Sequence, residues 1–178
     1  MEIRDATEAD AAACAAVYAP YVRDTAITFE VLPAPTPRDF AARIADAQRQ
    51  HAWLVATDDD GRVFGYAYGG PYMERAAYRW ACTVSVYLEP GRRRTGAGRA
   101  LYTHLFERLT ERGFLTAIAG MTEPNAASEG LHRAMGFTPV GTYARVGFKD
   151  GAWHDVTWFQ RPLGDGPRAG AGQPPEPR

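Results

Sequence analysis

Two periods alternate along the chain: apolar residues at every second position, which marks strands, and apolar residues every three or four positions, which marks helices. Residues 2–4 form a short opening strand. Thr7 with Asp10 signals a helix start, and an Ala-rich helix follows to about Arg23. Residues 27–35 read as extended, with Pro33 and Pro35 keeping the segment from becoming a long strand. Over 36–50 the helical signals are clearer: Thr36 at the N-cap, Pro37 in the first turn, Asp39 near the positive end, and Phe40 and Ile44 on one face. Residues 52–70 read as two strands around an Asp-rich turn, a hairpin. A long β-rich run covers 77–88, and its apolar stretch at 84–88 predicts a central strand. A helix from about Gly98 to Arg112 puts Leu101, Leu105 and Leu109 on one stripe. A strand over 114–121 comes next, then a helix over 123–137 that Gly136 is placed to end. Two strands, 138–147 and 153–161, flank the turn at 149–152.

This order predicts an α/β fold of the mixed, α+β kind: one sheet covered by helices. Ligands in such sheets favour the crevice where strands diverge at their C-terminal ends. The chain of 178 residues suits one domain, assigned here to 1–163. The stretch 164–178, "GDGPRAGAGQPPEPR", has no large apolar residue and is expected to be a disordered tail.

Net charge is −1, from 20 basic and 21 acidic residues, so no whole-chain field favours nucleic acid or an anionic membrane. Two distant cysteines, Cys14 and Cys82, support neither a disulfide framework nor a metal site. The first residues carry acids and no apolar core of a signal peptide, and no run approaches the ~18 apolar residues of a span. A reducing cytoplasm is the expectation.

Against this background "LEPGRRRTGAGRALY", 88–102, is a local concentration of charge. Three arginines run from a strand into two glycines and then a helix. A helix N-terminus offers unpaired N–H groups and about half a positive charge, and glycines let a ligand approach the backbone. Arg93, Arg94 and Arg99 would add charge-assisted bonds, so a pyrophosphate fits. A Walker loop is excluded because Gly98 is followed by Arg99-Ala100, and the dinucleotide fingerprint lacks its third glycine. The competing reading is a surface arginine cluster ahead of a glycine-relaxed helix.

The segment resembles motif A of the GNAT superfamily of N-acetyltransferases, Arg/Gln-x-x-Gly-x-Gly/Ala, through Arg93-Arg94-Thr95-Gly96-Ala97-Gly98. "EPNAASEGLHRAMGF" is similar to that family's second cofactor segment, with Asn125 and Ser128 on its cofactor-facing positions. "TFE" at 28–30, "AYRW" at 77–80, "LYTHL" at 101–105, "LHRAMGF" at 131–137 and "GAWHDV" at 151–156 resemble the phosphinothricin and methionine-sulfoximine acetyltransferase branch. The resemblance spans about residues 1–162. It implies the GNAT fold, a mostly antiparallel, twisted mixed sheet of about seven strands flanked by about four helices. It implies direct acetyl transfer from acetyl-CoA to a small amino-acid-like amine in a ternary complex, by a homodimer. The pyrophosphate would sit on the loop through Arg99, and the backbone of Val86, Tyr87 and Leu88 would hold the pantetheine arm.

Acetyl transfer needs a neutral amine, donors for the developing oxyanion and a proton for the departing thiolate. The resemblance implies Leu88 N–H as the oxyanion donor. His132 stands where the wider family carries a tyrosine near the thiolate, and it either donates or relays a proton or merely packs on its helix. Where the branch carries a glutamate on the central strand, this chain has Thr83, whose hydroxyl is no base near neutral pH but can hold a water. The proton would then leave through Glu30, His132 or a water chain, or the amine arrives neutral, or turnover is slow. Phe29, Glu30, Tyr72, Arg75, Tyr78 and Tyr143 are candidates for the acceptor pocket, with the aromatics equally suited to the core. Adjacent His154 and Asp155 point to opposite faces of a strand and so do not form a pair. Two other readings stay open: an acetyltransferase for a peptide or aminoglycoside-like amine, and an acyl-CoA-binding regulator with weakened catalysis.

Overall fold

A computed structural model of the chain describes residues 1–92, 95–166 and 172–178. Seven strands and four α-helices follow one another: β1 (Glu2–Asp5), α1 (Ala11–Asp24), α2 (Pro37–Gln50), β2 (Trp53–Thr57), β3 (Val63–Pro71), β4 (Ala81–Leu88), α3 (Ala97–Glu111), β5 (Thr116–Thr122), α4 (Ala126–Ala134), β6 (Thr138–Lys149) and β7 (Ala152–Pro162). The sheet order is β1-β2-β3-β4-β5-β7-β6, and β4 with β5 is its one parallel pair among the described strands.

Local chemistry sets most boundaries. Thr36 and Asp39 close a reciprocal capping box on α2, with Pro37 in the first turn. Thr7 and Asp10 do the same on a 3-10 turn, Glu8–Asp10, that leads into α1. After α4 the chain leaves through Gly136 at φ 81°, a left-handed conformation that favours glycine. One expectation shifts. The β-rich run begins only at Ala81, because Ala76–Tyr78 is a 3-10 turn in which Tyr78 N–H and Arg79 N–H donate to nearby carbonyls of Arg75 and Ala76.

Alternation along β4 divides the core between the two faces of the sheet. Cys82, Val84 and Val86 join Leu101, Leu105 and Leu109 of α3 on one face, together with Ala117, Ala119 and Met121 of β5. Tyr87 joins α1 and α2 on the other, with Tyr18, Phe40, Ile44, Trp53 and Tyr66. Beyond β7, Trp80 Nε1–H donates to Pro175 O at 2.8 Å, Arg79 pairs with Glu176, and Arg178 N–H donates to Arg112 O at 2.9 Å. Among the described residues no helix is long and apolar enough to cross a membrane.

Candidate active site

The parallel pair makes the site. β4 and β5 are in register only from Ala81–Thr116 to Thr83–Ile118. Further along, β4 stays with β3 as far as Leu88, and β5 stays with β7 as far as Thr122, so a cleft opens between them. Its walls include Val84, Ser85, Val86 and Tyr87 from β4 and Gly120, Met121 and Thr122 from β5; Ile27, Tyr102, Asn125, Ser128 and His132 close it.

Backbone polarity follows from the register. Glu89 N–H donates to Phe64 O at 2.7 Å. An antiparallel ladder alternates, so Tyr87 also faces β3, while the amides and carbonyls of Val86 and Leu88 turn away from it. The Leu88 carbonyl accordingly accepts from Tyr21 Oη at 2.6 Å. The two amides of Val86 and Leu88 therefore point along the cleft side of β4.

At the mouth of the cleft lies the start of α3. Gly96 is its N-cap at φ 82°, and a Cβ there would meet no atom of the described residues within 4 Å, so it is the conformation that asks for glycine. Gly98 differs: a Cβ would press on Leu131 Cδ2 at 3.2 Å, so its smallness serves the close approach of α3 to α4. Gly96 brings no side chain to cap α3, and among the described residues Thr95 Oγ1 accepts from Ala97 N–H only at a long 3.5 Å. Thr95 Oγ1 donates to Arg92 O at 3.1 Å, and Arg99 is exposed. Arg92 turns back toward Asp58, Glu89 and the Phe64 ring. Arg93 and Arg94 lie outside the described residues.

On α4, Asn125 caps the helix by accepting from Ser128 N–H at 3.1 Å. His132 is buried and has both ring nitrogens engaged. Nδ1 is 2.8 Å from Ser128 O and 3.2 Å from Ser128 Oγ, and Nε2 is 3.2 Å from Tyr102 Oη. Phe159 stacks on the ring and Phe137 meets it edge-on. Burial lowers its pKa, against the opposing effect of the Ser128 carbonyl.

Thr83 lies on the opposite face of β4 from Val84. Its hydroxyl donates to Gly70 O at 3.3 Å and Pro71 O at 3.4 Å, so its proton is committed to strand carbonyls. Its pair Ile118 lines a second cavity of about 350 Å³, with Tyr72, Met73, Val140, Tyr143 and Trp158 among the other walls. Tyr72 and Tyr143 thus line one cavity.

Phe29, Glu30, Arg75 and Tyr78 line neither cavity. The Glu30 carboxylate is held by Arg43 at 2.8 and 3.1 Å and by Tyr18 Oη at 3.1 Å, so it is tied into an ion pair with α2. Arg75 precedes the 3-10 turn, exposed. Tyr78 meets Tyr72 edge-on.

Phe29 lies where a Cβ on Gly147 would stand, close to the His154 ring. Beside it Lys149, 4% exposed, donates to Thr25 O at 2.7 Å and Thr28 O at 2.9 Å. The segment 25–30, whose Ile27 reaches the cleft, is thus clasped between the β6–β7 hairpin and α2. His154 reaches Lys149 O, whereas Asp155 accepts from Arg145 N–H at 2.7 Å, so the two have separate tasks. Sequence reasoning missed Tyr102, Ser85, Gly120, Met121, Thr122 and Ile27 as cleft walls. The signal available was the "LYTHL" pentad, whose tyrosine adjoins the Leu stripe.

A family model described as an acetyltransferase (GNAT) domain matches residues 3–158. The chain is 38% identical over 161 residues to a phosphinothricin N-acetyltransferase of Streptomyces viridochromogenes, covering 90% of this chain and 87% of that protein. It is 36% identical over 162 residues to an L-methionine sulfoximine/L-methionine sulfone acetyltransferase of Pseudomonas aeruginosa, covering 89% and 92%. The crystal structure of a phosphinothricin acetyltransferase from Sinorhizobium meliloti in complex with acetyl-CoA superposes with a TM-score of 0.90 at 37% identity, covering 98% of this chain and 93% of that one. With a splayed parallel pair at its centre and relatives of this similarity along nearly its whole length, the chain belongs to the GNAT acetyltransferase family.

Proposed function

We propose that this protein transfers the acetyl group of acetyl-CoA directly, in a ternary complex, to the amine of a small amino-acid-like substrate of the phosphinothricin or methionine sulfoximine type. The observation that carries this is the cleft between β4 and β5, with two strand amides turned away from β3 along one wall and a glycine-started helix N-terminus at its mouth. The amides of Val86 and Leu88 bond the pantetheine arm as an added strand would, alongside Tyr87, and Leu88 N–H receives the charge developing on the thioester oxygen. Gly96, Ala97 and Gly98 present the first-turn N–H groups of α3 to the pyrophosphate, with Thr95, Arg93, Arg94 and Arg99 around it. Asn125 and Ser128 close the far wall. The acceptor enters on the Thr83 side, where Tyr72 and Tyr143 line the second cavity, and segment 25–30 with Phe29 and Glu30 borders its approach. Arg75 and Tyr78 lie near enough along the chain to supply the cation and hydroxyl that an amino acid's carboxylate would want.

Purified protein mixed with acetyl-CoA and either methionine sulfone or phosphinothricin should release free thiol and form the N-acetyl product. Binding of acetyl-CoA with no thiol release on any of a panel of amines would sink the enzymatic reading. It would favour the acyl-CoA-binding regulator, which the committed hydroxyl of Thr83 supports. Exposed Val140, Tyr143, Val146, Phe148 and Trp153 on the β6–β7 hairpin support a homodimer. Both cysteines are buried and free, as suits a protein working in the cytoplasm.

A further inference from the structure

We infer that His132 enters the reaction only through the hydroxyl of Tyr102, so that the two side chains act as one proton relay. The inference rests on the proposed acetyl transfer and names the group that takes the amine's proton. A carbonyl oxygen only accepts, so the 2.8 Å contact between Nδ1 and Ser128 O requires the ring proton on Nδ1. Nε2 is then a bare acceptor, and the contact at 3.2 Å must be Tyr102 Oη–H donating to it. Neither nitrogen is left for a substrate. Both residues line that cleft, and the atom of the pair with accepting capacity left is the Tyr102 oxygen.

Proton balance then follows. As the amine nitrogen bonds to the acetyl carbon and the C–S bond breaks, the proton lost by nitrogen passes to Tyr102 Oη while the phenol's own proton passes to Nε2. Reversal delivers a proton from Nε2 to Oη and from Oη to the departing sulfur. The net result is one proton moved from amine to thiol, with phenol and imidazole restored. Tyr102 is thus the catalytic residue of the pair, in contact with the reacting atoms, and His132 is its positioning and charging partner. The rings packed on His132 are Tyr102 of α3, Phe159 of β7 and Phe137 just ahead of β6, and Tyr87 lines the same cleft from β4; of these only the two phenols titrate. On its own helix Glu129 and Arg133 pair with each other at the surface.

Residues that work as a unit are non-additive. Tyr102→Phe and His132→Phe should each lower kcat by about 10²-fold, the lower end of a general base's contribution, and the double variant should lose no more than either. Acetyl-CoA affinity and Tm serve as controls, since both changes suit an aromatic cage. Multiplicative losses, or Tyr102→Phe within about threefold of wild type, would overturn the relay. A second readout needs no turnover: the ¹⁵N spectrum of His132 should show a protonated Nδ1 and a bare Nε2. The opposite tautomer overturns the pairing even in a protein that acetylates well. A wild-type protein inert toward amines instead refutes the proposed function and leaves the tautomer to be decided by the spectrum.

Discussion

Thr83 shows how one side chain can be read from its partners. Its hydroxyl spends its proton on the carbonyls of Gly70 and Pro71, across β3, and so acts as a structural donor. With a proton route available on the other face of β4, Thr83→Glu is expected to raise kcat by less than about tenfold, well short of the 10²–10⁴ a newly supplied base could give. Steady-state kinetics with methionine sulfone decide the matter, and a hundredfold gain would return the base to this strand. His51 makes a different residue-scale prediction. Burial against the Phe114 ring, with Arg112 nearby, holds its imidazole from 6.5 down to about 4. A depressed folded-state pKa means the unfolded chain binds the extra proton first. The stability His51 contributes is therefore complete above about pH 6.5 and is lost as pH falls toward 4. Thermal melts between pH 7 and 4 should fall less steeply for His51→Phe than for wild type; parallel curves would refute the assignment.

Among elements, those defined by contiguous chemistry were legible: the capping box of Thr36 and Asp39, the stripe of Leu101, Leu105 and Leu109, the Gly136 exit and the glycines before α3. What escaped the sequence are contacts between elements far apart in the chain. Tyr102 adjoins the Leu stripe and reads as core, because nothing local says that its hydroxyl meets a histidine on α4. Glu30 stands among the candidate proton acceptors until Arg43 is seen to hold it, and Lys149 falls in a turn until its ammonium is found on two carbonyls. Those carbonyls make the loop 25–30 dependent on β6. Lys149→Met keeps most of the stem but leaves both carbonyls short of a donor, at a cost of about 1–3 kcal/mol. At about 2–4 °C per kcal/mol for a chain of this size, Tm should drop by several degrees. The KM for the amine should rise several-fold while that for acetyl-CoA stays put. Equal rises in both would show that the loop serves the whole site.

The whole molecule is organised by a single departure from antiparallel order. Every strand lies beside one that is its neighbour in sequence, and β5–β7 is the one pairing between non-consecutive strands among the described residues, yet the site depends on where the β4–β5 pairing stops, three residues in. The period of two that predicts a strand is silent on how far two strands stay together, and equally silent on the close approach of α3 to Leu131 of α4 at Gly98. The near-neutral composition points away from polyanions and makes the arginines a local feature, but the cavity on the Thr83 side draws its walls from β5, β6, β7 and the loop after β3 and belongs to no motif.

Because the register ends early, β4 is a central strand with the exposure of an edge. Hydrogen–deuterium exchange on the free protein should find the amides of Val86 and Leu88 trading their protons quickly, while their neighbours Tyr87 and Glu89, bonded to β3, remain slow. Adding acetyl-CoA should silence that alternation, turning two residues into built-in reporters of occupancy that work without any substrate being consumed.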